Sequence, residues 1–136
     1  MGTYANAANK TKNKLRETFW SLYKVKPIEK ISVREIIEIA HYNRSTFYEY
    51  YSDIYAVLEE IESALIEELF GNNNQLILNY RLSIDEIIYD IAQNYKRNKK
   101  YLDILLGKHG DPQFVDKIKT HLKDLIRPLL ITVNNT

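Results

Sequence analysis

Two helix-starting signals, at Ser32 and Asn43, constrain this chain more than any other feature, because they confine the segment up to Tyr51 to two short helices. Ser32 and Glu35 form a capping box. The serine hydroxyl can accept from the amide of residue 35, and the glutamate carboxylate can reach back to the amide of Ser32. Behind this start, Val33, Ile36, Ile37 and Ala40 recur at helical spacing. His41 and Tyr42 interrupt the pattern. Asn43, a good N-cap, then opens a second short helix from Arg44 to Tyr50. Two short helices separated by a few residues and flanked by longer ones follow the helix-turn-helix plan.

The flanking segments are helical as well. Leu15, Thr18, Phe19 and Leu22 line one face of a first helix, roughly Lys10 to Lys24, closed by Pro27. Ser52 or Asp53 caps a fourth helix whose stripe is Ile54, Val57, Leu58, Ile61, Leu65 and Leu69. The run Gly71-Asn72-Asn73-Asn74 is expected to break it. Ser83 and Glu86 make a second capping box, followed by a stripe of Ile84, Ile87, Ile88, Ile91 and Tyr95. Tyr101, Ile104 and Leu105 mark a further helix, ended near Gly107 to Gly110. Asp111 and Pro112 read as N-cap and first helical residue of a last helix carrying Phe114, Ile118, Leu122, Leu125 and Ile126. Pro128 is expected to kink or end that helix. No strand-like alternation competes. The expected fold is all-α, with a three-helix helix-turn-helix domain over residues 10–52 and a small helical domain over 53–136, entered through a connecting helix at 53–70.

Composition narrows the function. The chain has 136 residues, 45% of them apolar and 27% charged, as in an ordinary globular protein. The absence of cysteine removes disulfides and thiolate chemistry and fits a reducing, cytoplasmic setting. MGTYANAANK lacks the apolar run of a secretory signal. No apolar run approaches the roughly 18 residues a membrane helix needs, so no membrane partner is expected. The net charge of +1 hides an asymmetry. Residues 1–52 hold nine bases against five acids, residues 53–70 hold six acids and no base, and the remainder holds ten bases against seven acids. A basic head suits a polyanion, and the acidic helix behind it is expected to face away from one.

A helix fits the major groove of B-DNA, and side chains near its N-terminus reach base edges. In Arg44 to Tyr50, Phe47 together with Tyr51 can anchor one side against Leu15, Phe19, Ile36 and Ile37. Arg44, Ser45 and Tyr48 then project from the other side.

From Thr11 to Leu58 the chain resembles the N-terminal domain of bacterial TetR/AcrR-type transcription regulators, without a gap. The most specific stretch is Ser45-Thr46-Phe47-Tyr48-Glu49-Tyr50-Tyr51, where that family typically has Gly-Thr-Leu-Tyr-x-Tyr/His-Phe. The resemblance implies that Arg44, Ser45 and Tyr48 read bases in double-stranded DNA. It also implies that Lys12, Arg34, Asn43, Thr46 and Tyr50 contact the DNA backbone. A homodimer on a pseudo-palindromic operator, acting as a repressor and released by a small-molecule inducer, is the behaviour it implies for the whole molecule. Three departures stand out. His41 occupies a turn position that is usually glycine, Ile37 replaces an alanine, and Ile54 replaces a phosphate-gripping lysine. The helical segment after the head is also short for this family.

Other features favour plain packing or solvation. Tyr23, Tyr55, Tyr89 and Tyr95 fall on or beside apolar stripes and are expected in the core, and Trp20 is expected to pack against a neighbouring helix. Glu59, Glu60, Glu62, Glu67 and Glu68 read mostly as a solvated face. His109, Asp111 and His121 do not have a metal-ligand spacing, so no metal or cofactor is expected. No nucleophile-base pattern or phosphate loop is present, which argues against an enzyme. The rival reading is a TetR-like interaction protein that has lost DNA binding and pairs with another regulator or a ligand.

Overall fold

In the computed structural model of the chain, the backbone is described for residues 2–80 and 83–134, and side chains for 9–71, 83 and 85–127. The described residues form helices only: α1 (Gly2–Tyr23), α2 (Val33–Ala40), α3 (Arg44–Tyr50), α4 (Ile54–Tyr80), α5 (Ile84–Arg97), α6 (Lys99–Leu105) and α7 (Pro112–Asn134). A single 3-10 turn, Ile28–Lys30, joins α1 to α2. The all-α expectation holds. The chain divides into two compact units, Met1–Ile61 and Glu62–Thr136.

In the first unit, α2 packs on both α1 and α3. Its core is Leu15, Phe19, Ile36, Phe47 and Val57, all fully buried, with Trp20, Tyr23, Ala40, Tyr51, Ile54 and Leu58 around them. Phe19 stacks on Tyr23 at 5.6 Å between ring centroids, and Trp20 lies 5.4 Å from the same ring. Full burial of an aromatic side chain such as Phe47 contributes about 1.5–3 kcal/mol. The anchoring predicted for α3 is therefore present in the burial of Phe47 and Tyr51. Both capping signals are also found. The Ser32 hydroxyl accepts from the Glu35 amide at 3.1 Å, and Glu35 Oε1 accepts from the Ser32 amide at 3.2 Å. Lys26 adds an ion pair to the same carboxylate. Asp53, rather than Ser52, supplies the cap of α4, accepting from the Ala56 amide at 2.8 Å.

The second unit buries Leu65, Leu69 and Phe70 of α4, Ile87 of α5, Leu102 and Leu105 of α6, and Phe114 and Leu125 of α7. The α6–α7 turn depends on Gly110, because a Cβ there would stand 1.8 Å from the Leu105 carbonyl oxygen. Asp111 caps α7 by accepting from the Gln113 amide at 3.0 Å, and Pro112 is the first helical residue, as its sequence signal implies.

Several expectations are overturned. Helix α1 begins at Gly2 rather than near Lys10, its first turns containing the strong helix formers Ala5, Ala7 and Ala8. Helix α4 passes through Gly71 to Asn74 without a break. Glycine and asparagine are poor helix formers but each keeps its amide, so the hydrogen-bond ladder continues. Helix α7 runs past Pro128 to Asn134, so the proline does not end it, although its missing amide costs the ladder one hydrogen bond.

The buried face of α5 follows Ile87, Asn94 and Asn98, with Ile91 half-buried, instead of the stripe through Ile88 and Tyr95. The side chain of Ile84 lies outside the described residues. The two asparagines are accommodated inside because each side chain has its own partner: the Asn98 side-chain amide donates to the Asn94 backbone carbonyl at 3.0 Å, and Arg97 donates to Asn94 Oδ1. This rotation leaves Ile88 and Tyr89 exposed, and Tyr95 too, whose hydroxyl donates to Asp103 at 2.6 Å. Tyr55 is exposed as well, so of the four tyrosines expected inside only Tyr23 is buried.

Candidate nucleic-acid interface

The turn before α3 decides where that helix points. His41 adopts the left-handed conformation, φ 63° and ψ 43°, and is the one non-glycine residue with positive φ among the described residues. The Ile37 carbonyl accepts from the His41 amide and from the Tyr42 amide, the latter at 3.1 Å, which terminates α2 and redirects the chain. A left-handed residue costs about 1–2 kcal/mol when it has a side chain. The histidine accepts that cost at the place where the turn requires it.

Asn43 then organises the start of α3. Its Oδ1 accepts from the Thr46 amide at 3.0 Å, from the Thr46 hydroxyl at 2.7 Å and from the Ser45 hydroxyl at 2.8 Å. Both hydroxyl protons are thus directed to the cap, and the hydroxyl oxygens keep their acceptor capacity. Arg44, Ser45 and Tyr48 are exposed, with Tyr48 at 47%. The Arg44 guanidinium lies 5.8 Å from the Tyr48 ring centroid, at the edge of cation–π range. The Tyr48 ring meets Phe47 edge-on, 5.4 Å between centroids at 88°. One side of α3 is consequently locked in the core, and the opposite side presents a cation, a hydroxyl and a phenol together.

Residues implied for the DNA backbone have varied surroundings. Arg34 is exposed on α2, and its Nε donates to Glu38 at 3.0 Å across one helical turn. Such an exposed pair contributes roughly 0.3–0.5 kcal/mol and gives way easily. Tyr50 and Thr46 are half-buried. Lys12 sits 2.6 Å from Glu60 Oε1 and 5.7 Å from the Tyr51 ring centroid. Lys14, which has no assigned role, reaches over the ring of Tyr42 in the turn at 5.7 Å. Ile54 is buried, so the position where the resemblance leads one to look for a lysine is here a packing position.

Two carboxylates of the acidic run depart from a plain solvated face, one by burial and one by its partners. Glu62 is buried at 2% exposure, at a position that continues the stripe of Leu58, Leu65 and Leu69. Glu60 joins three elements: it pairs with Lys12, stands 4.0 Å from Arg16, and accepts from the Tyr51 hydroxyl. Burial alone would raise the Glu60 carboxyl, but hydrogen bonds from Lys12 and Tyr51 and the nearby cations outweigh it and hold it below the ordinary range. Burial, followed by the hydrogen bond and charge of Glu60, drives the Tyr51 phenol well above its ordinary value. The sequence does contain a signal for this cluster. A buried tyrosine needs a partner for its hydroxyl, whereas helical spacing alone gives Tyr51 only an apolar role.

His121 stacks on Phe70 at 5.3 Å and places Nδ1 2.8 Å from the Lys117 carbonyl. Among the described residues, no three His, Asp or Glu side chains gather as they would around a metal ion.

No protein-family model matches the chain, and no curated protein matches it. Among solved structures it is similar to a TetR transcriptional regulator from Streptococcus agalactiae 2603V. The two are 26% identical with a TM-score of 0.73, over 94% of this chain and 69% of the other. The chain is TetR-like. The fold likeness extends well beyond the segment from Thr11 to Leu58, whose residues carry the sequence resemblance. In this TetR-like chain, the candidate interface therefore occupies α1 to α3 and the first turns of α4. No helix among the described residues is long and apolar enough to cross a membrane.

Proposed function

We propose that this chain is a sequence-specific DNA-binding transcription regulator whose reader is α3. The observation that carries the reading is the two-sidedness of that helix. Phe47 is fully buried and Tyr51 nearly so, while Arg44, Ser45 and Tyr48 are exposed at a capped helix start. Likeness to a solved transcriptional regulator supports the same class. Arg44 offers a two-pronged donor that matches the acceptor edge of guanine, and Ser45 and Tyr48 can contact adjacent bases. Arg34, Asn43, Thr46, Tyr50 and Lys12 are assigned to phosphates and sugars, where they fix register without selecting sequence.

The finer reading is a homodimeric repressor on a pseudo-palindromic site, with half-site symmetry mirroring protein symmetry. An inducer would act by favouring a conformation in which the two readers no longer match those half-sites. A gel-shift titration against genomic fragments at several salt concentrations tests the DNA-binding reading. Neutralised phosphates release condensed counterions, so affinity should fall steeply and log-linearly with salt. Absent binding, or binding indifferent to salt, overturns it.

A further inference from the structure

Lys12, a residue assigned to a DNA phosphate, is held by a carboxylate of its own chain. Glu60 Oε1 lies 2.6 Å from Lys12 Nζ and 4.0 Å from Arg16, while Oε2 accepts from the Tyr51 hydroxyl. One side chain of α4 thereby gathers two cations of α1 and the phenol that follows α3. Lys12 and Glu60 are 36% and 30% exposed, so the pair is reachable from solvent. To an ammonium, a carboxylate oxygen and a phosphate oxygen are the same kind of partner, an anionic acceptor at hydrogen-bond distance.

We infer that Glu60 is an internal substitute for DNA phosphate: a positioning residue that holds Lys12 in the unbound chain and surrenders it to the DNA backbone on binding. The inference rests on the DNA-binding function proposed above. It makes Glu60 a brake on affinity and a brace for the head at once. The ion pair must be exchanged before Lys12 can neutralise a phosphate, so the free energy of the pair is subtracted from binding. Glu59 stands beside it on the same helix, exposed, and removing its charge alters the general field without releasing Lys12.

The test measures affinity of the full chain for a labelled random-sequence duplex of about three helical turns. The proteins are the wild type, Glu60→Gln, Glu59→Gln, Lys12→Ala and the Lys12→Ala/Glu60→Gln double variant, each checked for its helical circular dichroism. Glutamine keeps the length of the side chain and can still accept from Tyr51. Glu60→Gln should bind about two- to fivefold tighter, the size of a half-exposed ion pair. Glu59→Gln should gain less, and the double variant should bind as weakly as Lys12→Ala. A role in packing alone would not produce a gain that vanishes with Lys12.

In the wild type, the carboxyl carbon resonance of Glu60 should shift as duplex saturates the chain, a readout that needs no variant. Equal or weaker binding by Glu60→Gln, an equal gain from Glu59→Gln, a gain that survives loss of Lys12, or an unmoved Glu60 resonance each overturns the inference while the wild type still binds. Failure of every protein to bind overturns it together with the function beneath it.

Discussion

His41 shows how a single backbone conformation sets the geometry of α3, the proposed reader. With φ at 63° it sits where glycine is favoured, and its side chain is exposed. His41→Gly should therefore stabilise the folded chain by about 0.5–1 kcal/mol, less than the full left-handed penalty because glycine also loses more entropy on folding. Denaturant unfolding of both proteins measures this, and a destabilised glycine variant would show that the histidine side chain stabilises the turn. That strain was readable only through the resemblance, which implies a turn position usually held by glycine where this chain has His41. The partner of Tyr51 was not. Glu60 is separated from it by the start of α4, and an acidic run reads as solvated until the packing of α1 against that helix brings Lys12 and Arg16 to it.

At the level of elements, capping signals were the most legible part of the sequence. Ser32, Asn43, Ser83 and Asp111 each accept from a backbone amide at the start of the expected helix. These are local interactions, complete within three residues, so tertiary packing has little to overrule. Breaks were less legible. Gly71 carries only a propensity, which α4 absorbs, and Pro128 removes one backbone hydrogen bond without ending α7.

The rotation of α5 has a similar cause. Hydrophobicity alone puts the face through Ile88 and Tyr95 inside, yet Asn94 and Asn98 are buried because Arg97 donates to the Asn94 side chain and the Asn98 side chain donates to the Asn94 backbone carbonyl at the α5–α6 junction.

The Glu60 cluster binds α1, the end of α3 and α4 together, and it makes the stability of the head depend on pH. The Glu60 carboxyl is held below its ordinary value of about 4.5. The folded state therefore binds its proton less readily than the unfolded state does. That contribution is fully present above the ordinary value and is lost as pH falls through the lowered one. Wild type should be more stable than Glu60→Gln at neutral pH, and the difference should shrink as pH drops below about 4.5. Thermal unfolding of both proteins across that range measures the effect. A constant difference would mean that Glu60 stabilises the head without its charge.

For the whole molecule, the class of fold and the two-sided burial of α3 were legible because helical period, short helix length and turn spacing repeat the same message in one stretch of sequence. In the second unit the stripes place Leu65, Leu69, Ile87, Leu105, Phe114 and Leu125 inside, as found, but not Phe70, Leu102 or the rotation of α5.

The central claim, that α3 reads base sequence through Arg44, is tested most directly by selecting a preferred duplex with the wild type. Binding of Arg44→Ala and Arg34→Ala to that duplex and to a scrambled one is then compared. Arg44→Ala should lose about 1–3 kcal/mol on the selected duplex and most of its preference for it, whereas Arg34→Ala should weaken both duplexes about equally. If Arg44→Ala also lowers both affinities uniformly, or neither, Arg44 is not a base reader and the account of α3 is wrong.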